Sequence, residues 1–184
     1  VIAISSALPG DGKTTVAAEL AICCALKWEK VLLIDCDLRR ATLSNLFIEA
    51  NNIPGLTDCL SGDKPLPDAI VGTSFKNLDF LSAGTRITSS SELISSKALG
   101  EILADCRARY DKIIIDTAPV LTVRDTLILS QHVDLLNIVV KSGITKSSNL
   151  KEMMNLFRKH DTKATGLVIN SLRPKRSEKQ YYGY

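Results

Sequence analysis

The chain lacks most of what marks a metal-stapled, disulfide-stapled or membrane-spanning protein. It has two histidines, and its five cysteines (Cys23, Cys24, Cys36, Cys59, Cys106) show neither Cys-x-x-Cys spacing nor a nearby histidine pair, which excludes a structural zinc site. An odd number of cysteines scattered through apolar stretches predicts reduced core thiols of a cytosolic protein. Charge of one sign is also missing. The formal net charge is only +3, which excludes a dedicated nucleic-acid binder with a basic face. No apolar run approaches the ~20 residues that span a bilayer. The longest, residues 20–26, lies within a helical pattern, and nothing basic precedes Val1 as in a signal peptide. Because Val1 already lies in an apolar strand and is not Met, the chain is expected to be a piece of a longer protein.

What the chain does have is enough length and apolar content for one domain with a sizeable core, 184 residues of which 45% are hydrophobic. Apolar runs without polar alternation fall at residues 1–5, 31–35, 78–81, 113–116, 135–140 and 166–169, and helical patterns at 14–28, 91–110, 124–130 and 147–160. Such an alternation predicts an α/β fold, a mostly parallel central sheet covered by helices on both faces. Residues 50–68, with their Pro, Gly and Asn clusters, read as an irregular excursion with one short helix. No internal repeat is visible. The domain is expected over residues 1–170, followed by a flexible, basic, tyrosine-rich tail over 171–184. There Arg173, Lys175, Arg176 and Lys179 stand against Glu178, and the rest of the chain is formally neutral.

Ligands of parallel α/β sheets collect beyond the carboxyl ends of the strands, which directs attention to residues 6–15, 35–40, 83–86, 116–120, 141–145 and Asn170. The run Ala7-Leu8-Pro9-Gly10-Asp11-Gly12-Lys13-Thr14-Thr15 follows a strand and opens a helix. Gly10 and Gly12 let successive backbone N–H groups across Asp11 curl around a polyphosphate, and the helix N-terminus adds its dipole. Lys13 supplies a cation for the β/γ-phosphates and Thr14 a hydroxyl for Mg²⁺, with Thr15 beside it. Ala7 stands where the usual pattern has Gly. The expected ligands are ATP and Mg²⁺, and the expected architecture is the three-layer sandwich of P-loop NTPases.

Two carboxylates, Asp35 and Asp37, end the strand Leu32-Leu33-Ile34, and period-two geometry sends both to one side. A third, Asp116, ends Ile113-Ile114-Ile115. A single aspartate in such a place reads as a cap or turn former. Three of them beside a phosphate loop point to chemistry. Magnesium needs oxygen ligands and keeps several waters, and phosphoryl transfer needs a group to orient or deprotonate the attacking hydroxyl. Thr14, Asp35, Asp37 and Asp116 are therefore the candidate metal set, and Lys13 with the three aspartates the candidate catalytic set.

The series Gly10-x-Gly12-Lys13-Thr14, Asp35-x-Asp37-x-Arg39 and Asp116-x-x-Pro119 resembles the bacterial tyrosine kinases that regulate capsule and exopolysaccharide export, which carry a second aspartate motif (Walker A′) between Walker A and Walker B. Gly55-Leu56-Thr57-Asp58, Leu81-Ser82-Ala83-Gly84 before Glu92, and Gly166-Leu167-Val168-Ile169-Asn170 extend the similarity over nearly the whole chain. The resemblance implies a catalytic domain that passes the γ-phosphoryl of Mg-ATP to tyrosine. Asp116 would hold Mg²⁺ through water, Asp35 and Asp37 would share metal contact and activation of the acceptor, with Asp35 favoured as proton acceptor, and Asn170 would recognise adenine. Asn170 also reads as a polar residue closing a strand, and Arg39 and Arg40 as phosphate partners or as solvated side chains. The resemblance further implies a homo-oligomeric ring, a membrane-embedded co-polymerase or activator segment, a location at the cytoplasmic face of the bacterial inner membrane, a cognate tyrosine phosphatase and no nucleic-acid partner. The chain departs from the family at Ala41 and Ala118, where Pro is frequent, and at residues 87–90, where a Pro-rich stretch is usual.

Three of the four tyrosines, Tyr181, Tyr182 and Tyr184, fall in the last four residues, where a hydrophilic tail has no core to bury them. They read as phosphoacceptors whose basic flank suits an acidic pocket, modified between neighbouring subunits, or else as an aromatic docking end. Two rival functions keep the same site. DNA-partitioning and division-site-positioning ATPases use water as nucleophile, but commonly carry a second lysine early in the loop, where Ser6, Ala7 and Leu8 stand here. A regulatory module would use ATP only to control assembly. His132 and His160 have no acid or cysteine partner and receive no role. Trp28 is expected to pack in the core or at a helix end.

Overall fold

The computed structural model describes residues 1–47, 53–86 and 90–171. Among these residues seven strands form one sheet: β1 (Ile2–Ser6), β2 (Val31–Cys36), β3 (Ile70–Gly72), β4 (Leu78–Leu81), β5 (Lys112–Thr117), β6 (Leu135–Lys141) and β7 (Gly166–Asn170), in the order β3-β4-β2-β5-β1-β6-β7. Every neighbouring pair is parallel except β3–β4. Between them lie α1 (Lys13–Leu26), α2 (Ser44–Phe47), α3 (Leu56–Leu60), α4 (Leu66–Ala69), α5 (Ser90–Ile94), α6 (Lys97–Arg109), α7 (Asp125–Leu129) and α8 (Ser147–Lys159). The result is the α/β sandwich expected from the sequence.

Strand parity sorts the core into two layers. Val31 and Leu33 of β2, Ile114 of β5 and Ile4 of β1 face Ala17, Ala21 and Ala25 of α1, where small side chains let the helix lie close on the sheet. Leu32, Ile34 and Cys36 face the other way, toward a layer that includes Leu99, Leu103 and Cys106 of α6 and Met153 and Phe157 of α8. Asp35 and Asp116 share the parity of Leu33 and Ile114, so both point to the α1 side. The β2–β5 register pairs Asp35 with Asp116.

Several elements depart from the sequence reading. The helix expected over residues 91–110 is two helices, because the Ser95 and Ser96 hydroxyls donate back to the carbonyls of Glu92 (2.9 Å) and Leu93 (2.6 Å) and Ser96 takes an extended backbone. Among its described residues the excursion expected over 50–68 holds two short helices rather than one, the second running on to Ala69. It leads into β3, a three-residue antiparallel edge strand too short to show a period. Cys23 is exposed on the outer side of α1 rather than in the core. Residues 48–52, 87–89 and 172–184, the last with Tyr181, Tyr182 and Tyr184, lie outside the described residues.

Trp28 is the other departure. Lys27 and Trp28 N–H close the end of α1 on the carbonyls of Cys24 and Ala25, and Trp28 then takes φ +68°, the left-handed position that glycine usually fills after a helix. The residue is 76% exposed, and its ring lies under the Lys76 ammonium, 4.9 Å from the ring centroid. A Cβ in that backbone region costs ~1 kcal/mol. Trp28→Gly is therefore expected to raise the melting temperature by roughly 2–4 °C, followed by circular dichroism. A lower melting temperature would show that the lysine–ring contact outweighs the backbone strain.

Candidate nucleotide and metal site

The loop after β1 turns twice through left-handed glycines, Gly10 at φ +89° and Gly12 at φ +98°. A Cβ at Gly12 would collide with the side-chain amide of Asn170, so glycine is needed there both for its backbone and for its lack of bulk. Asp11 fastens the loop from behind. Its buried carboxylate accepts Leu8 N–H (3.3 Å) and the Thr145 hydroxyl (2.7 Å), and Thr145 Oγ1 in turn accepts Lys141 N–H (2.8 Å). Asn170 Nδ2 donates to the Asp11 carbonyl (3.1 Å), and its Oδ1 accepts Ser171 N–H. The Asp11 side chain thus braces the loop, while Asn170 rests against it.

A cleft of about 390 Å³ opens at this edge, lined by Gly10, Gly12, Lys13, Thr14, Thr15, Asp37, Arg40, Thr42, Pro119, Lys141 and Asn170, with Pro9 at its rim. Arg40 rather than Arg39 faces it. Thr42 and Lys141 carry no motif. Lys141 was legible only through its place beyond the carboxyl end of β6.

The three aspartates are not equivalent. Lys13 Nζ lies 3.4 Å from Asp37 Oδ2 and 3.5 Å from Asp116 Oδ1, and donates to Thr14 Oγ1 at 3.1 Å. Asp35 is engaged elsewhere. Its Oδ1 accepts Asp37 N–H (3.1 Å), and its Oδ2 accepts both the N–H and the hydroxyl of Ser44 (2.8 Å each). The shared side expected for Asp35 and Asp37 thus conceals different tasks: Asp35 anchors the start of α2, and Asp37 faces the cleft. Asp37 is held by its own turn, in which Arg40 and Ala41 N–H donate to its carbonyl and Arg40 N–H also reaches Oδ1 at 3.3 Å. Ala41 has φ +49° and donates at 2.8 Å. Proline, locked at negative φ and without an N–H, can do neither, so this turn does not admit it.

Asp37 Oδ2 and both Asp116 oxygens are buried without a hydrogen-bond partner of full geometry, a costly state for carboxylate oxygens unless a cation meets them. Burial pushes the Asp116 carboxyl up to about 7, against the pull of the Lys13 ammonium and the nearby Thr14 hydroxyl and with the added push of Asp35 and Asp37. Burial raises Asp35 too, offset by the Ser44 and Asp37 donors. The donor set fits Mg²⁺: hard oxygens of Asp37, Asp116 and Thr14 beside a loop of free N–H groups. Among the described residues no three His, Cys, Asp or Glu side chains close around a metal by themselves, so a bound Mg²⁺ would need further oxygens, from water or ligand, to complete its shell.

Fold and site define a P-loop nucleotide-binding domain. The AAA domain family (AAA_31) matches residues 1–168. Tyrosine-protein kinase YwqD of Bacillus subtilis is 37% identical over 183 residues, covering 99% of this chain and 77% of that protein. Tyrosine-protein kinase wzc of Salmonella typhimurium is 31% identical over all 184 residues, which span only 26% of its length. The crystallised kinase domain of VpsO superposes with a TM-score of 0.87 at 37% identity, covering 94% of this chain and 84% of that one. The chain belongs to the bacterial tyrosine-protein kinases. Cell-division proteins are more distant: a chain of the Aquifex aeolicus MinC:MinD cell division protein complex has a TM-score of 0.77 at 23% identity, covering 98% of this chain and 72% of that one, a likeness of fold alone.

A pH dependence follows from Asp116. Below its unfolded value of 3.8 both states hold the proton. Between there and about 7 the folded protein retains it while the unfolded chain loses it, so this group's contribution to stability falls as pH rises. Melting of the nucleotide-free protein across pH 4–8 is expected to show that fall, and Asp116→Asn to flatten it and raise the melting temperature at pH 8. An unchanged slope in the variant would refute the assignment.

Proposed function

We propose that the domain is an ATP-dependent autokinase that passes the γ-phosphoryl group of Mg-ATP to Tyr181, Tyr182 and Tyr184 of a neighbouring copy. The observation that carries this reading is the pair of buried carboxylates, Asp37 and Asp116, holding Lys13 at the mouth of the phosphate loop. Backbone N–H groups of the loop and Lys13 would bind the polyphosphate, and Thr14, Asp37 and Asp116 would hold the metal. Mg²⁺, when bound, would neutralise the oxygens of the transferring group. Asp37, with an oxygen free of hydrogen bonds, accepts the proton of the incoming phenol. Asp35 positions Asp37 through the bond to its N–H and takes no proton. Arg40 and Lys141 add positive charge around the phosphates, and Asn170 borders the nucleotide from β7.

Tyr110, the tyrosine outside the tail, supports a distant acceptor. It is buried, its hydroxyl donates to Asp79 at 2.8 Å, and burial with that carboxylate pushes the phenol well above its usual range. The reading includes a ring of copies, an activating membrane-embedded segment at the cytoplasmic face of the bacterial inner membrane, a cognate phosphatase, and control of polysaccharide polymerisation or export. Among the described residues no helix is long and apolar enough to cross a membrane.

Mixing a Lys13→Met chain with an active chain lacking the tail tyrosines, under Mg-ATP, is expected to label the Lys13→Met chain, read by mass spectrometry of its C-terminal peptide. An unlabelled peptide would exclude transfer between copies, and phosphate released to water without protein labelling would favour the ATPase. Asp37→Asn is expected to lower kcat by on the order of 10²-fold or more, and Ser44→Ala, which removes one of the three hydrogen bonds to Asp35 and the acceptor of Ala83 N–H, by much less. Equal losses would place Asp35 on a par with Asp37.

A further inference from the structure

The carboxyl ends of the strands carry the chemistry, and the amino ends carry a surface with no assigned role. Leu26 and Trp28, at the end of α1, are 70% and 76% exposed, and Phe75, in the turn between β3 and β4, is also exposed. Trp28 and the turn that carries Phe75 share one patch, and Leu26 stands two residues before Trp28. Lys76 lies over the Trp28 ring. Val31 N–H donates to the Asn77 carbonyl (2.8 Å), where β2 and β4 begin side by side, and Lys30 N–H donates to Asp111 Oδ2 (2.8 Å), which brings in the start of β5.

Lysines rim this patch. Lys27, Lys30 and Lys76 are exposed, and none forms an ion pair among the described residues. Three acidic groups lie among them, Glu29 paired with Lys112 (3.5 Å), Asp111 accepting the Lys30 N–H and Asp79 accepting the Tyr110 hydroxyl, so that with Arg109 and Lys112 the cations of this end outnumber its carboxylates. Lys30 and Arg109 both lie on the Tyr110 ring, at 5.1 and 5.8 Å from its centroid. Protruding apolar side chains therefore stand inside a positive rim.

We propose that this end of the molecule docks on the anionic surface of a lipid bilayer. Tryptophan and phenylalanine settle at headgroup depth, lysine stems bury their methylenes while the ammonium stays at the phosphates, and anionic lipid attracts each lysine. Charge decides between occupants. A second copy docked symmetrically through the same patch would set Lys27, Lys30 and Lys76 against their own counterparts, an unfavourable arrangement. The fold does not require the ring either, because glycine would suit the backbone at position 28 better. The nucleotide cleft lies at the opposite ends of the strands, so a docked domain leaves it facing solution.

Trp28 is the single tryptophan of the chain, so its fluorescence reports the encounter. With vesicles of phosphatidylcholine containing phosphatidylserine, its emission is expected to shift to the blue and to be quenched by brominated acyl chains. Sedimentation with those vesicles should weaken roughly fivefold for each of Lys30→Gln and Lys76→Gln, and be lost at high salt. Trp28→Gly is expected to lower vesicle binding while leaving Mg-ATP-dependent phosphorylation without lipid unchanged. An unshifted spectrum with anionic vesicles overturns the proposal, as does an equal shift with pure phosphatidylcholine. A shift that grows with protein concentration in the absence of lipid overturns it in favour of self-association.

Discussion

One ammonium among three buried carboxylates sets the terms of this molecule. The β2–β5 register brings Asp35 and Asp116 to adjacent strands, about 4.8 Å apart, and the turn after β2 adds Asp37. Like charges that close and that dry cannot all be ionised without compensation. Two kinds of compensation are present. Asp35 is satisfied by three hydrogen bonds from its own surroundings. Asp37 and Asp116 share Lys13 at distances longer than a tight charge-assisted bond. Carboxylate oxygens left short of partners in this way distinguish a cleft from a core ion pair, whose members satisfy each other.

The surrounding structure keeps that arrangement from relaxing. Asp35 holds Ser44, and the Ser44 hydroxyl accepts Ala83 N–H at 3.1 Å. Thr57 then donates to the carbonyls of Ala83 and Thr85, and Asp58 accepts Gly55 N–H along with the Thr85 N–H and hydroxyl. The loop after β4 is thus locked against the start of α3, with Gly84 at φ +81° crossing so close to Gly55 that neither could carry a Cβ. On the other side of β1, Asp11, Thr145 and Asn170 tie the phosphate loop to β6 and β7. The site rests on side-chain bonds between loops distant in sequence, which pre-organise it before any ligand arrives.

Much of this was open to reading in the chain itself. Long apolar strands, the helices between them and the glycine–lysine–threonine loop follow from local rules, since continuous burial and backbone permissiveness leave their mark residue by residue. Short or interrupted elements did not show. β3 has three residues, and the break at Ser95–Ser96 depends on hydroxyls choosing backbone carbonyls that a helical pattern equally allows. Trp28 misled because an aromatic at a helix end normally finds something to cover it, and here a lysine lies over the ring and the residue stays exposed.

The sequence by itself determined the class of site: a phosphate cradle, three acidic strand ends and a family resemblance, all carried by residue type and spacing. Only the tertiary structure decided which aspartate serves the cleft and which serves the scaffold, and that the Asp11 side chain is a brace. Residue type cannot tell a free carboxylate from a saturated one. That depends on which donors the packing of distant segments, here Ser44 and Thr145, brings within hydrogen-bonding reach.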